Sequence, residues 1–301
     1  MDLEPKTDRD QFGKLLGQTY RLWRATPLVG FSSKTRHELV KSLRLHLMED
    51  LSYEVNDGYT GSTPDKHTIM DASLTALRLN DWDKVNNSSE ALELQLKIWY
   101  SDLKYPSRYK IFFLPATLAR GDDEVMKGAV DYPLVLVNIR NSKLWESIRQ
   151  WLEKDFACDI SMFHVSGSVL TALGNWWTGS LNKIYDYEMD PSHAQNKCLE
   201  LSYHIPFTKN LDDISLTITM NQLRKMHNII QDTGLTMMDL IQEHVYKTLR
   251  IKVDQFVLSC VGTPVAYVSN KSQLKLLEKG GSRTQYLEFL SELCDLAVTT
   301  L

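Results

Sequence analysis

The sequence contains no apolar run long enough to cross a bilayer, so we do not expect a transmembrane protein. Its start, MDLEPKTDRD, is polar and lacks the apolar stretch of a secretory signal peptide. Because structural disulfides belong to oxidising compartments, scattered cysteines without a C-x-x-C pair predict reduced, buried thiols in a cytosolic or nuclear protein. The four cysteines are Cys158, Cys198, Cys260 and Cys294.

The signatures of nucleotide-binding proteins and of common hydrolases are also missing. The 301 residues contain neither G-x-G-x-x-G nor the P-loop pattern, and neither G-x-S-x-G nor H-E-x-x-H. The eight histidines follow no common pattern. We therefore expect no enzymatic activity and no cofactor.

Two Cys/His pairs with the same spacing raise the possibility of a zinc site. They are Cys158 with His164 and Cys198 with His204. The second pair lies on a predicted strand, where six residues span about 20 Å. Its members are too far apart to share an ion whose ligand bonds measure about 2.0–2.3 Å. We therefore predict no metal site at these residues.

A group of carboxylates leaves one enzymatic alternative open, a metal-dependent hydrolase. Carboxylates in predicted loops could assemble a magnesium site. No motif places a His or Lys beside them, and acidic residues in loops are usually only solvated. The residues concerned are Asp81, Asp83, Asp122, Asp123 and Glu124.

The charge is unevenly distributed along the chain, although the net charge is only −4. The segment from Lys14 to His46 holds seven basic residues and one acid, Glu38, which gives it +6 and leaves −10 on the remainder. Clustered Lys and Arg are the electrostatic footprint of phosphate binding, but a solvated helix face has the same composition. The candidates for DNA contact are Arg21, Arg24, Lys34, Arg36, Lys41 and Arg44.

Two periodicities indicate that the fold contains both helices and strands. From Ser33 to Asp50, apolar residues recur at helical spacing, which predicts an amphipathic helix with Ser33 as its cap. From Leu92 to Tyr100, every second residue is apolar, which predicts a half-buried antiparallel strand.

The remaining segments predict an α+β fold, a mainly antiparallel sheet with helices packed on one face. We expect a loose segment over residues 1–19, an N-terminal α+β half over 20–140 and a C-terminal α+β half over 141–301. The further predicted strands are 51–55, 69–79, 110–118, 132–139, 198–207, 213–219, 253–261, 264–270 and 273–279. The further predicted helices are 142–156, 169–179 (ending at Gly179), 221–234, 235–250 and 284–298.

The order of several apolar motifs resembles the centromere protein L (CENP-L) family. The motifs are LWRATPLVGF, WLEKDFACDISMF, VLTALGNWW, LELSYHIPFTKNLDDISLTI and, at the end of the chain, LKLL followed by YLEFLSELC. The resemblance covers roughly residues 20 to 298, although between Leu51 and Asn141 only the alternation of strands matches. Each motif is unspecific by itself, and their shared order carries the comparison. Trp23, Leu28 and Phe31 of the first motif are predicted to pack beneath the first helix.

The resemblance implies a non-enzymatic subunit of the inner kinetochore, in the constitutive centromere-associated network of the nucleus. Members of the family pair with centromere protein N, and this pair helps to recognise nucleosomes that contain the histone variant CENP-A. The implied fold is a curved antiparallel sheet with helices on one side. In such a complex the basic candidates would face linker DNA, without reading its sequence.

The resemblance also implies that the partner binds the C-terminal half, where an exposed strand edge could receive a partner strand. The same edge could pair with a second copy of this chain when the partner is missing. A stand-alone DNA-binding protein is the alternative function. The candidate interface residues are Val257, Val265, Tyr267, Leu274 and Leu276.

Overall fold

Backbone contacts divide the chain into two units. Unit 1 is formed mainly by residues 20–163 and unit 2 mainly by residues 164–292. The boundary predicted between residues 140 and 141 thus lies within unit 1. The computed structural model describes residues 11–55, 67–79, 82, 90–115, 129–184, 197–205 and 213–299.

Unit 1 is a mostly antiparallel sheet with two helices on one face. Its strands are β1 (Thr19–Ala25), β2 (Glu54–Val55), β3 (Thr68–Ala76), β4 (Leu92–Trp99), β5 (Ser107–Leu114), β6 (Leu134–Asn138) and β7 (Ile160–Met162). Its helices are α1 (Arg36–Leu51) and α2 (Ser142–Phe156). The strand order is β2-β3-β4-β5-β6-β1, with β7 also paired to β1, and only β2 and β3 run parallel.

Unit 2 is an antiparallel sheet accompanied by helices. Its strands are β8 (Lys197–His204), β9 (Asp213–Thr219), β10 (Val257–Gly262), β11 (Ala266–Ser269) and β12 (Gln273–Leu276). The helices are α3 (Gly167–Ile184), α4 (Met220–Thr233), α5 (Met237–Leu249) and the first part of α6 (Arg283–Thr299), whose residues from Leu293 onward belong to unit 1. The strand order is β12-β11-β10-β8-β9. The predicted α+β class with mainly antiparallel strands is confirmed, and among the described helices none combines the length and apolar character that a membrane crossing requires.

Helix α1 begins at Arg36, and its cap is Thr35 rather than the predicted Ser33. The Thr35 hydroxyl accepts a hydrogen bond from the Glu38 N–H (3.3 Å), and the Glu38 carboxylate accepts one from the Thr35 N–H (2.7 Å). This reciprocal arrangement is a capping box. Ser33 has Arg36 three residues later and cannot form one, which explains why the helix starts beyond it.

Helix α3 continues past Gly179 to Ile184, so the predicted helix end was wrong. A glycine ends a helix when its backbone takes the left-handed conformation, as Gly234 does after α4 with φ 68°. Gly179 has no positive φ and remains part of the helix.

The segment before α1 packs into the core beneath that helix, as predicted. Leu28 and Phe31 are buried in the same apolar cluster as Leu39 of α1. Trp23 is half-buried against this cluster, and its ring centroid lies 5.1 Å from that of Trp145 in α2. The two helices and the chain leading into them therefore share one core.

Part of the segment predicted to be loose is packed against unit 1. Phe12 and Leu15 are buried, and the Lys14 Nζ lies 2.5 Å from a carboxylate oxygen of Glu93 in β4. Glu93 is only 2% exposed. Because Leu94 belongs to the core under α1, Glu93 points to the opposite face of the sheet. The ion pair therefore fixes residues 12–15 on the face of β4 opposite α1.

Replacing Thr35 with Ala should lower the free energy of unfolding by about 1 kcal/mol, because it removes the hydroxyl that caps α1. Urea unfolding of the full chain, followed by circular dichroism, measures this change. Thr35→Ser keeps the hydroxyl and is the matched control, with stability close to that of the wild type. Identical unfolding midpoints for Thr35→Ala and the wild type would show that the cap contributes nothing.

The same cap should weaken in acid. Hydrogen bonds from the Thr35 N–H and hydroxyl hold the pKa of Glu38 below its ordinary value. A carboxylate whose pKa is lowered by folding stabilises the folded protein above its unfolded-state pKa, and this contribution is lost as the pH falls through the folded-state pKa. The stability difference between wild type and Thr35→Ala should therefore shrink once the pH falls below about 4.3. A difference that stays constant between neutral and acidic urea titrations would contradict this.

The thiols should react slowly in the native protein. Cys158, Cys198 and Cys294 are buried, and Cys260 is half-buried. Burial raises the pKa of Cys198 to about 12 and that of Cys158 and Cys260 to about 11. Because the thiolate is the reactive form, Ellman's reagent at mildly alkaline pH should label the native protein slowly, with Cys260 the first to react, and should label all four thiols rapidly after unfolding. Complete labelling of the native protein within the mixing time would contradict this.

Candidate functional site

No metal centre is present among the residues that the structure describes, because no three His, Cys, Asp or Glu side chains converge there. Cys198 and His204 lie on the same strand, β8, as predicted, and six residues of an extended strand separate them. The Cys198 Sγ donates instead to the carbonyl oxygen of Ile218 at 3.1 Å. The carboxylates of the hydrolase alternative, at 81, 83 and 122–124, lie outside the described residues.

The basic candidates on β1 point to different faces of the sheet. Arg21 and Trp23 occupy alternate positions of the strand and share one face, whereas Arg24 points to the other. The Arg24 guanidinium donates to the Ser161 hydroxyl of β7 at 2.9 Å. Arg21 is exposed. The two arginines that the sequence places close together therefore cannot contact one phosphate group.

Three other basic candidates form ion pairs with carboxylates that are distant in the sequence. These pairs are Lys34–Asp155 at 3.4 Å, Arg36–Glu90 at 2.6 Å and Arg44–Asp71 at 3.6 Å. Exposed pairs of this kind contribute at most about 1 kcal/mol each to stability. Each carboxylate nevertheless neutralises charge that the sequence alone assigns to the segment, so the basic surface is smaller than predicted.

Arg21 and Lys41 are the candidates that remain exposed and form no ion pair within the described residues. Lys41 lines a groove between α1 and α2 together with Lys154, Glu38 and Asp155. Basic and acidic side chains are therefore mixed along this groove, and it is not a strongly basic surface.

A second basic surface, which is not among the sequence-predicted candidates, lies on the face of β4 and β5 opposite α1. Lys97 of β4 stands directly opposite Arg108 of β5, and Gln95 stands opposite Lys110. Neither Lys97 nor Arg108 forms an ion pair within the described part of the chain, and the Lys110 Nζ lies 3.9 Å from the Glu93 carboxylate. Like charges at opposite positions are destabilising, so the Lys97–Arg108 pairing does not serve the stability of the sheet.

Part of this surface could have been found from the sequence. The alternation along β4 places Gln95, Lys97 and Trp99 on the polar side of the strand. Arg108 is brought beside Lys97 by the register between β4 and β5. The alternation within one strand does not predict this register.

Most of the predicted partner interface is buried. Strand β10 is hydrogen-bonded to β8 and β11, and β11 to β10 and β12, so neither strand has an open edge. Val265, Leu274 and Leu276 are all 0% exposed and cannot reach a partner in this structure. The predicted exposed edge at β10 and β11 was therefore wrong. Alternating apolar residues indicate that a strand has one buried face, but they do not indicate whether the strand lies at the edge or in the middle of a sheet.

The other two predicted interface residues reach the surface. Val257 at the start of β10 is 48% exposed. Tyr267 of β11 is half-buried and donates its hydroxyl to the Glu200 carboxylate at 3.1 Å. Burial and this carboxylate raise the pKa of Tyr267. The Tyr267 side chain is thus already engaged within unit 2.

The open edge of the unit 2 sheet is β9. This strand pairs with β8 from end to end and has no second neighbour among the described residues. Asp213, Ser215 and Thr217 present exposed side chains on one face, while Ile214 and Leu216 are half-buried on the other. Strand β9 therefore offers a row of backbone N–H and C=O groups along seven residues.

Strand β9 passes into helix α4 without an intervening loop. Thr219 is the last residue of the strand and also the cap of the helix. Its hydroxyl accepts a hydrogen bond from the Gln222 N–H at 3.4 Å, and the Gln222 side chain accepts one from the Thr219 N–H at 2.9 Å. The capping box thus joins the open edge directly to a helix.

Comparison with known proteins identifies the family. No individual curated protein matches the chain. The family model for centromere protein L (CENP-L) matches residues 14–298, which is nearly the whole chain and includes the basic strands of unit 1 and the open edge of unit 2. The chain therefore belongs to the centromere protein L family, whose members are structural subunits of the kinetochore at the centromere.

Proposed function

We propose that the protein is a non-enzymatic subunit of the inner kinetochore that pairs with centromere protein N and helps to anchor the complex to CENP-A chromatin in the nucleus. Family membership supports the kinetochore assignment. The open edge of β9 is the observation that supports pairing, because a partner strand can satisfy its free backbone groups.

The sequence of β9 supports this choice of edge. Edge strands that do not bind another chain are usually protected from strand pairing by lysine, proline, a bulge or very short length. Strand β9, DISLTIT, has neither lysine nor proline, and its only charged residue is Asp213 at the first position. Such an edge favours pairing with another strand, whether from centromere protein N or from a second copy of this chain.

Proline substitutions in β9 test the pairing. The backbone N–H groups of Ser215 and Leu216 point to opposite sides of the strand, so only one of them bonds to β8. Ser215→Pro and Leu216→Pro are made separately. The substitution that removes the N–H bonded to β8 should lower the melting temperature, so the variant that melts like the wild type is the one that lacks the N–H pointing outward. After co-expression with centromere protein N, size-exclusion chromatography with light scattering should show a one-to-one complex for the wild type and its loss for that variant.

The control for this experiment keeps the backbone donor. Ser215→Val changes the side chain but retains the N–H, and it should bind like the wild type. A complex that survives both proline variants would place the partner elsewhere. A chain that stays monomeric beside centromere protein N would contradict the pairing itself, and a homodimer lost in the same proline variant would show that β9 binds a second copy.

We further propose that unit 1 contacts duplex DNA within the assembled complex through one of two pairs of cations on opposite faces of the sheet, Arg21 with Lys41 or Lys97 with Arg108. These side chains form no ion pairs within the described residues, whereas Lys34, Arg36 and Arg44 are neutralised. The small number of such cations favours DNA binding by the complex over the alternative, a stand-alone DNA-binding protein.

Charge reversal tests the DNA contact. In the reconstituted complex, one of the two double variants, Lys97→Glu/Arg108→Glu or Arg21→Glu/Lys41→Glu, should weaken binding to duplex DNA, since each lost phosphate contact lowers the log–log salt slope by about 0.9. Fluorescence anisotropy at several salt concentrations measures both quantities. Lys271→Glu/Lys275→Glu, which changes two exposed cations of unit 2, is the charge-matched control.

The outcomes separate the hypotheses. Unchanged DNA binding in both unit 1 variants would contradict a contact through these residues. Loss in the control variant alone would move the contact to unit 2. Tight binding of the isolated chain at physiological salt would support the stand-alone alternative.

A further inference from the structure

The C-terminal end of helix α5 exposes two large apolar side chains. Tyr246 is 41% exposed and Leu249 is 55% exposed. They are three residues apart and so lie on the same side of the helix. The buried residues of α5 include Ile241 and Val245, and Leu249 lies one turn beyond Val245, past the part of the helix that the core covers. Tyr246 and Leu249 therefore contribute little to the core of unit 2.

Two cations lie against the exposed tyrosine. The Arg250 guanidinium lies 5.9 Å from the Tyr246 ring centroid, and the Lys252 ammonium lies 5.8 Å from it. Neither cation forms an ion pair within the described residues. The nearby Lys247, by contrast, pairs with Glu243 at 2.6 Å. The end of α5 thus combines apolar surface with positive charge that no carboxylate neutralises in the described part of the chain.

Ending helix α5 does not engage the side chain of Arg250, whose left-handed backbone is like that of Ser52 and Ala157 at the ends of α1 and α2. Arg250 has a φ of 62°, the left-handed conformation in which glycine is favoured. The cap bond runs from its backbone N–H to the Tyr246 carbonyl at 2.9 Å and needs no side chain. A cation in the last turn, where it stabilises the helix dipole, is already supplied by Lys247.

We propose that Tyr246, Leu249, Arg250 and Lys252 form a docking surface for an acidic segment of a protein partner. In this arrangement a carboxylate of the partner lies between the two cations, and an apolar side chain covers Leu249. Because this surface is positively charged, charge complementarity requires a negatively charged partner segment. The exposed leucine favours a protein over a nucleic acid, because phosphate contacts are made by cations and polar groups, and an aliphatic side chain makes none. Tyrosine and arginine are also enriched in protein interfaces.

The proposal does not depend on pairing at β9 or on DNA binding by unit 1. The test uses the full chain and a fluorescent synthetic peptide in which glutamate and aspartate residues flank a single leucine. Arg250→Gly/Lys252→Ser removes both cations, and glycine fits the backbone at position 250, so the fold should be retained. This variant and Tyr246→Ala should each weaken peptide binding about tenfold or more.

Matched controls make the outcome decisive. Arg224→Ser/Lys225→Ser removes two exposed cations of α4 with the same change in net charge, and it should bind the peptide like the wild type. A twin peptide with lysine in place of the acidic residues should not bind. Equal affinity of the wild type and Arg250→Gly/Lys252→Ser, or a wild-type Kd weaker than about 1 mM, would overturn the proposal. Duplex DNA that binds through Arg250 and Lys252 and displaces the peptide would overturn it in favour of a phosphate site.

Discussion

The burial of one face of the unit 1 sheet under α1 and α2 determines where this unit can display charge. Helix α1 contributes Leu39 and Leu43 to that core, and it carries three of the seven cations of the basic segment. Holding the helix in place brings carboxylates from other elements to its surface, and Lys34 and Arg44 are neutralised there. On the opposite face, β4 and β5 retain Lys97 and Arg108, which form no ion pair within the described residues.

Much of the fold could be predicted from the sequence because its signals are local. The bounds of α2 and β9 agree with the predictions, since they depend on periodicity within a few positions. The errors were also local. Ser33 and Thr35 compete to cap one helix, and only the partner three residues later decides between them. Gly179 stays helical because nothing forces its backbone into the left-handed region.

The sites were harder to predict because they depend on contacts between distant segments. The basic residues of β1 and α1 are easily seen in the sequence, but the Arg36 partner Glu90 is 54 positions away. In unit 2, Val265 and Leu274 alternate as strand residues do, and this pattern is the same for an inner strand and an edge strand. Strand order distinguishes the two cases, and it identifies β9 as the edge.

The direct passage from β9 into α4 has a mechanical consequence. Thr219 belongs to both elements, so no loop residue can lengthen when the strand is pulled along its axis. A tensile load applied through a partner strand on β9 would act in shear on the whole β8–β9 ladder, and its hydrogen bonds would resist together rather than open one at a time. The same load would reach α4 through the capping box, so edge and helix would yield as a single element.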